Sequence, residues 1–480
     1  MKDVLSPTAE RFSTNANEIA TPATASKRFG IISLLAAALA VHLLVILAGA
    51  DKGLFYPDEF EYIELAKNLA ERNEFSYKGH LTSFRPPGFP FIVSLAFRFF
   101  GSEALVPARV LQMLFSLATI WIIYRLGRDG WGEKVGFIAA GIFAFYPTLI
   151  GFSNILLTEP ACIFFVSLTC WAMLRYLQHS HLGWAFVAGA ALGISALIRD
   201  TLFYAGPLTI FFLFVYNWRK PRAHLWHAAF LTAGFVSAIL PWSIRNSLLN
   251  GQPTLISSVG GITFYLCNNE KAPLIRSSSL FYEKQIGEEY YYETLLPELD
   301  GLSETEKNEI VTRKAFEYML ANPGATLVRM LGRFVDFWGQ ERLVINHVLA
   351  KYYGDITQTG VIIIVAAVFG SYSLIMIGAC FGCFFSKLRA FDVFGLLFIA
   401  YYTAMHLLVF AHPRYHMPLL PLLILMAARA CASRNEITAK LKTWRFAGAA
   451  GLAAVFVIIW IVGLFVFDAK YLESFMQRLG

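Results

Sequence analysis

Long apolar runs separated by short polar turns dominate the chain from residue 30 onward. A helix that crosses the hydrocarbon core of a bilayer needs about 20 mostly apolar residues. By that measure the sequence predicts eleven spans, at 30–50, 104–126, 134–153, 155–177, 183–199, 202–218, 225–247, 358–386, 391–411, 415–431 and 446–468. Two longer stretches, 51–103 and 248–357, interrupt the alternation. Four regions follow: a disordered tail at 1–29, a membrane module at 30–247 carrying the loop 51–103, a large loop at 248–357, and a second membrane module at 358–480. The stretch 324–340 is apolar but carries Arg329, Arg333 and Asp336 near its middle. It reads as an interfacial helix rather than a crossing. The first run ends in Ala48-Gly49-Ala50, a signal-peptidase-like ending, but its length and the residues before it predict an uncleaved anchor.

Composition agrees with the pattern. Of 480 residues, 57% are hydrophobic and 15% charged, where a soluble domain would have about a quarter charged. The 43 Phe, 21 Tyr and 10 Trp exclude a disordered chain. The expected class is an all-α polytopic membrane protein with membrane lipids around it. A net charge of +7 raises the question of nucleic acid, but the placement of the charges answers it. With the N-terminus inside, 18 of the 40 basic residues fall on the cytoplasmic side, as the positive-inside rule requires. No nucleic-acid partner is expected. The loops 51–103 and 248–357 then lie outside. Cys380 and Cys383 form a CxxC inside an apolar run and read as packing residues. No phosphate loop, dinucleotide fingerprint, zinc-protease motif or serine elbow is present, and the histidine spacing marks no metal set.

The candidate chemistry lies on the outer side. After Pro57, residues 58–72 read as a helix with Tyr62, Leu65, Ala66 and Leu69 as its apolar stripe. Asp58 and Glu59 open it. Asp58 with Glu61 fits an Asp-x-x-Glu cap, and the local pattern favours that reading. The alternative is a carboxylate at the membrane boundary that takes a proton from an acceptor hydroxyl. Arg85 precedes Pro86-Pro87-Gly88 and either binds a lipid phosphate or snorkels to bulk headgroups. Glu159 before Pro160 suits a helix start. Arg199 is followed by Asp200, which would make a self-contained ion pair. Arg245 closes the seventh span, and Arg414 lies in His412-Pro413-Arg414-Tyr415-His416-Met417-Pro418 between spans nine and ten. Each alone reads as an interface anchor. Together, Arg85, Arg199, Arg245 and Arg414 depart from the positive-inside rule and ask for an anionic partner. The 248–357 loop adds Gly260-Gly261, Asn268-Asn269, an acidic, tyrosine-rich stretch (Glu288, Glu289, Tyr290, Tyr291, Tyr292) and a helix expected at 304–321.

In order along the chain, YPDEFEYIELAKNL (56–69), FRPPGFPFIVSLAFRFFG (84–101), LLTEPACIFF (156–165), ALGISALIRDTLFYAGP (191–207), PWSIRNSLLNG (241–251), SSVGGITFYLCNN (257–269), NPGATLVRMLGRFVDFW (322–338) and HPRYHMPLLPLL (412–423) resemble the GT-C glycosyltransferases that use polyprenyl-phosphate sugars. The protein O-mannosyltransferase and lipid A aminoarabinose transferase group is the nearest resemblance. It implies a GT-C-like fold in the cell inner membrane and inverting transfer of a hexosyl or pentosyl group, on the outer face, to a hydroxyl of a glycolipid, glycan or protein. It implies Asp58, with Glu59 beside it, as the catalytic base, and Arg85, Arg199, Arg245 and Arg414 as donor-phosphate ligands. Glu159 would line the cavity. No cofactor beyond the lipid-linked sugar is implied, and a divalent metal has no support in the sequence. Relatives often read Thr-Arg-Pro where this chain has Ile198-Arg199-Asp200, so Asp200 would partly neutralise Arg199. The competing reading is a lipid or glycolipid transporter, which would put ionisable residues at mid-membrane.

Overall fold

The structure is a computed structural model of the chain and describes residues 22–216, 221–274, 297–467 and 469. The tail before residue 22 and the tyrosine-rich stretch at 288–292 lie outside the described residues.

The described chain is almost wholly helical. Eight helices among the described residues are long and apolar enough to cross a membrane, or nine if one bent pair forms a single span. That pair is α5 (Glu133–Ala144) and α6 (Pro147–Gly151), in which the expected 134–153 span breaks by 47°. Pro147 accounts for the break, because it lacks an N–H and its ring crowds the preceding turn. The stretches expected at 183–199 and 202–218 form shorter apolar helices, α8 (Leu182–Ile198) and α9 (Ala205–Tyr216, after a 3₁₀ turn at 200–202).

Small residues set how tightly the bundle packs. α8 crosses α10 (Pro221–Asn250) at Gly189 and Gly234. A Cβ on Gly189 would stand 1.9 Å from the Leu231 carbonyl oxygen, and one on Gly234 would stand 2.2 Å from that of Phe186. Only glycine allows that backbone approach, the small-residue packing expected where lipid offers no hydrophobic drive between helices.

Three features position the site. The first is α1 (Pro22–Ala48), whose end feeds the link into α2 (Pro57–Arg72). The second is the run after α2: a tight hairpin, β1 (Ser76–Tyr77) against β2 (His80–Leu81), then α3 (Gly88–Phe100). Tyr77 pairs with His80 across a Lys78-Gly79 turn with both φ positive, the geometry of a two-residue hairpin. The third is the 3₁₀ segment Pro413–Leu419, which leads into the buried helix Leu420–Ala432.

In the large loop, the helix expected at 304–321 spans Glu304–Ala321 and opens with a Ser303/Glu306 capping box. The 324–340 stretch forms a helix over Pro323–Phe337. Its Leu327, Val328 and Leu331 are exposed, while Arg329, Arg333 and Asp336 are buried. The arginines turn inward onto backbone carbonyls: Arg329 onto Asn269 and Ala272, Arg333 onto Cys267, Leu407 and Leu408. All six cysteines are free, Cys380 and Cys383 included.

Candidate active site

α2 decides which carboxylate does what. The helix opens at Tyr56, and Glu59 is the residue that caps it. Its carboxylate reaches back to accept the backbone N–H groups of Phe55 at 3.0 Å and Tyr56 at 2.8 Å, and accepts a third from Leu156 at 2.8 Å. Glu59 is 1% exposed. The Asp-x-x-Glu cap expected at Asp58 therefore does not form; the cap belongs to the next residue. Burial raises the Glu59 carboxyl above the ordinary range, against the pull of those three N–H groups and of Arg109. Glu59 points away from the cluster described next and serves as a staple between the loop and residue 156.

Asp58 and Glu61 are three residues apart, so they share a helix face. That face meets arginines from far along the chain. Asp58 Oδ2 accepts from Arg414, and its Oδ1 lies 3.5 Å from Arg85 Nη2. Glu61 takes Arg85 in a fork, 2.6 Å from Nη2 and 3.0 Å from Nε. Glu159, the first residue of α7 (Glu159–His179), pairs with Arg199 at 2.7 Å and lies 3.7 Å from Arg414 Nε. Tyr415 lies beneath both Arg199 and Arg414, with ring centres 4.6 and 5.2 Å from the guanidinium carbons. Tyr62 lies 5.6 Å from that of Arg85.

Three carboxylates thus meet three guanidiniums, so the cluster is electrically balanced. The anionic partner that the arginines ask for is supplied by the chain itself, at Asp58, Glu61 and Glu159. Asp58 remains accessible, with 27% of its side chain exposed. Burial works to raise its carboxyl, but Arg414 and Arg85, with Arg199 further off, outweigh it and hold the group down at about 2.

The expected Arg199–Asp200 ion pair is absent. Arg199 goes to Glu159 and to the Thr158 hydroxyl at 3.1 Å, while Asp200 accepts from the Ser257 hydroxyl at 2.7 Å. The departure at residue 200 therefore leaves Arg199 within the cluster. Arg245 does not join it. It donates to the carbonyls of Thr82 at 2.6 Å and Phe75 at 3.2 Å, and packs on Trp242 and Phe75. Its role here is to clamp the hairpin and the loop leading to Arg85. Glu304 completes that clamp by accepting from Thr82, from the Ser83 backbone and hydroxyl, and from Ser258.

Two groups of the site do not stand out in the sequence. Glu61 presents itself there as part of a cap; its i+3 spacing from Asp58 is the signal of a shared face. Arg109 on α4 (Leu105–Trp131) is fully buried and donates to the carbonyls of Gly49, Lys52 and Gly53 and to the Tyr352 hydroxyl. It fixes the link that aims Asp58. Tyr56 adds a bond from its hydroxyl to the Leu343 carbonyl at 2.6 Å. Among the described residues, no group of three His, Cys, Asp or Glu side chains is placed to hold a metal ion.

Residues 84–243, a third of the chain, match the family described as dolichyl-phosphate-mannose-protein mannosyltransferase. The matched region takes in Arg85, Glu159 and Arg199. No curated protein matches the chain in sequence. Among solved structures, ArnT from Cupriavidus metallidurans bound to undecaprenyl phosphate is similar at 13% identity and a TM-score of 0.50, covering 94% of this chain and 72% of that one. The archaeal oligosaccharyltransferase AglB from Archaeoglobus fulgidus, in complex with an inhibitory peptide and a dolichol-phosphate, is similar at 15% identity and a TM-score of 0.49. That likeness covers 90% of this chain, which spans about half the length of AglB (55%). From the apolar helices and the likeness to ArnT, the chain is a multi-pass membrane protein with a GT-C-like fold.

Proposed function

We propose that the protein is a glycosyltransferase that moves a hexosyl or pentosyl group from a polyprenyl phosphate to a hydroxyl of a glycolipid, glycan or protein, on the outer face of the inner membrane and with inversion. One observation carries the reading. Asp58 is an accessible carboxylate set between Arg414 and Arg85, each of which has a second carboxylate at hand.

Such a cluster suits exchange. A lipid phosphate presents the charge and oxygen geometry that a guanidinium fork accepts from a carboxylate. When the donor phosphate engages Arg85 and Arg414, Glu61 and Glu159 stay as their second partners, and Asp58 is released toward the acceptor. The acceptor oxygen then attacks the anomeric carbon from the face opposite the phosphate. Its proton passes to Asp58, the new glycosidic bond forms, and the bond from carbon to phosphate oxygen breaks. The lipid phosphate leaves carrying the electron pair, and the arginines stabilise its added charge. Charge placed in advance is usually the largest catalytic contribution, and a positioned base adds about 10²–10⁴-fold. Glu159 orients Arg199 and Arg414. Glu59 and Arg245 act from behind, by holding the backbone that carries Asp58 and Arg85. The likeness to ArnT, determined with undecaprenyl phosphate bound, supports the choice of donor.

The test uses purified protein in liposomes with undecaprenyl phosphate bearing a radiolabelled sugar, and an envelope extract as acceptor. Transfer is expected to move the label off the lipid and release undecaprenyl phosphate. Movement of the intact labelled lipid between leaflets, with no loss of sugar, would favour the transporter reading instead.

A further inference from the structure

The end of the bundle away from Asp58 holds a second arginine cluster that the proposed reaction does not use. Arg109 beside the Asp58 link and Asp129 lie on the same helix, α4, about 30 Å apart at a rise of 1.5 Å per residue. Arg125, Arg128 and Asp129 occupy the last turns of α4, and Trp171 and Arg175 face them from α7. Trp184, in the first turn of α8, completes the group.

Three guanidiniums share one carboxylate here. Asp129 is filled by Arg128, at 3.0 and 2.9 Å, and by the Trp171 indole N–H at 3.1 Å. Arg125 and Arg175 stand back at 3.5 and 3.8 Å, too far for a good hydrogen bond. The Nε of each is buried with no hydrogen-bond partner. Their faces are nonetheless fixed: Arg125 lies over Trp121 and Trp171 at 5.2 and 5.1 Å, and Arg175 over Trp184 at 5.7 Å. The three indoles pack edge to face in a row. About a quarter of each arginine side chain is exposed. His179, in the last turn of α7, is a further titratable group near Arg175 and Asp129, and Tyr124 with Glu133 lies on the Arg128 side.

A row of indoles at a helix end marks the headgroup level of a bilayer. Two arginines held flat there, each about a quarter exposed, stand back from the one carboxylate they share with Arg128 and can take an anion with several acceptor oxygens. We propose that Arg125 and Arg175, backed by Trp121, Trp171 and Trp184, bind the phosphate headgroup of a membrane lipid at the face opposite Asp58. An anionic phospholipid and a polyprenyl phosphate offer the same chemistry. The site is independent of the glycosyltransferase reading, since none of its residues approaches Asp58.

The full chain is tested by native mass spectrometry with phosphatidylglycerol, undecaprenyl phosphate or phosphatidylcholine added separately. Wild type is expected to retain phosphatidylglycerol or undecaprenyl phosphate over phosphatidylcholine, and the one retained names the source. Arg125→Gln with Arg175→Gln should weaken retention about thirtyfold. Asp129→Asn removes the competing carboxylate and should tighten retention several-fold, a change that misfolding would not produce. Equal retention of all three lipids by wild type, or no change in either variant, would overturn the proposal.

Discussion

Arg414 and Asp58 lie 356 residues apart in the chain and form a salt bridge. The bond joins the 3₁₀ segment Pro413–Leu419 to the first turn of α2, and the charge of each partner is tuned by the other. It also gives Asp58 an unusual starting point for a base. A carboxyl held at about 2 is a weak proton acceptor until something else occupies its arginines.

The pH dependence follows from that pairing. The folded value of Asp58 lies below the ordinary 3.8, so its pairs contribute to stability fully above about pH 4 and lose that contribution as pH falls through about 2. In free enzyme Asp58 therefore adds no acidic limb near pH 4. A donor phosphate that takes Arg85 and Arg414 raises the Asp58 carboxyl. The acidic limb of kcat is expected at higher pH than that of kcat/KM, since the two report the complex and the free enzyme. Coincident limbs in steady-state profiles would show that the donor does not disturb these pairs.

Arg85 and Arg245 should separate by kinetics. Arg85→Ala removes a member of the cluster, and is expected to raise the donor KM about tenfold or more while the melting temperature moves little. Arg245→Ala frees the carbonyls of Thr82 and Phe75 and loosens the loop that carries Arg85. It should lower the melting temperature by several degrees, about 1–3 kcal/mol for buried acceptors left unpaired. Donor titration together with a thermal melt of each variant decides the matter.

Glu59 is predicted to matter for stability rather than chemistry. Its carboxylate answers three backbone N–H groups, from Phe55, Tyr56 and Leu156. Glu59→Gln keeps one acceptor oxygen and should cost about 1–3 kcal/mol. Activity per folded molecule should stay within a few-fold of wild type. A folded Glu59→Gln protein with activity lost a thousandfold would place Glu59 in the reaction.

His416 sits two residues from Arg414 and is fully buried. Its Nδ1 faces the Phe337 carbonyl at 2.7 Å and its Nε2 the Glu341 carboxylate at 2.9 Å, both acceptors. Tyr372 and Trp338 stack on its two faces, at 4.7 and 6.0 Å. Glu341→Gln removes a carboxylate from this buried hydrogen-bond pair, and a loss of about 1–3 kcal/mol is expected by denaturation in detergent.

Much of the fold was legible because it rests on local pattern. The length of the apolar runs announced the long spans, and the apolar stripe of residues 58–72 announced that helix. The break at Pro147 shows the limit: hydropathy counts apolar residues and is blind to one that cannot continue a helix. The site was legible as a set of residues but not as a set of partners. Asp58 and Glu59 are adjacent and chemically alike, and both have a claim to cap α2. The distant arginines decide that Asp58 turns outward, leaving Glu59 to cap. Likewise Arg199 passes over its neighbour Asp200 for Glu159, and Arg245 closes a hairpin whose carbonyls no sequence pattern displays.

The most direct test of the central claim is transfer by Asp58→Asn protein from undecaprenyl-phosphate sugar in liposomes. Asn keeps the shape of the side chain but cannot accept a proton. The account predicts folded protein that still binds the donor and loses about 10²–10⁴-fold in kcat. Transfer near the wild-type rate would reduce Asp58 to a partner of Arg414 and contradict the account.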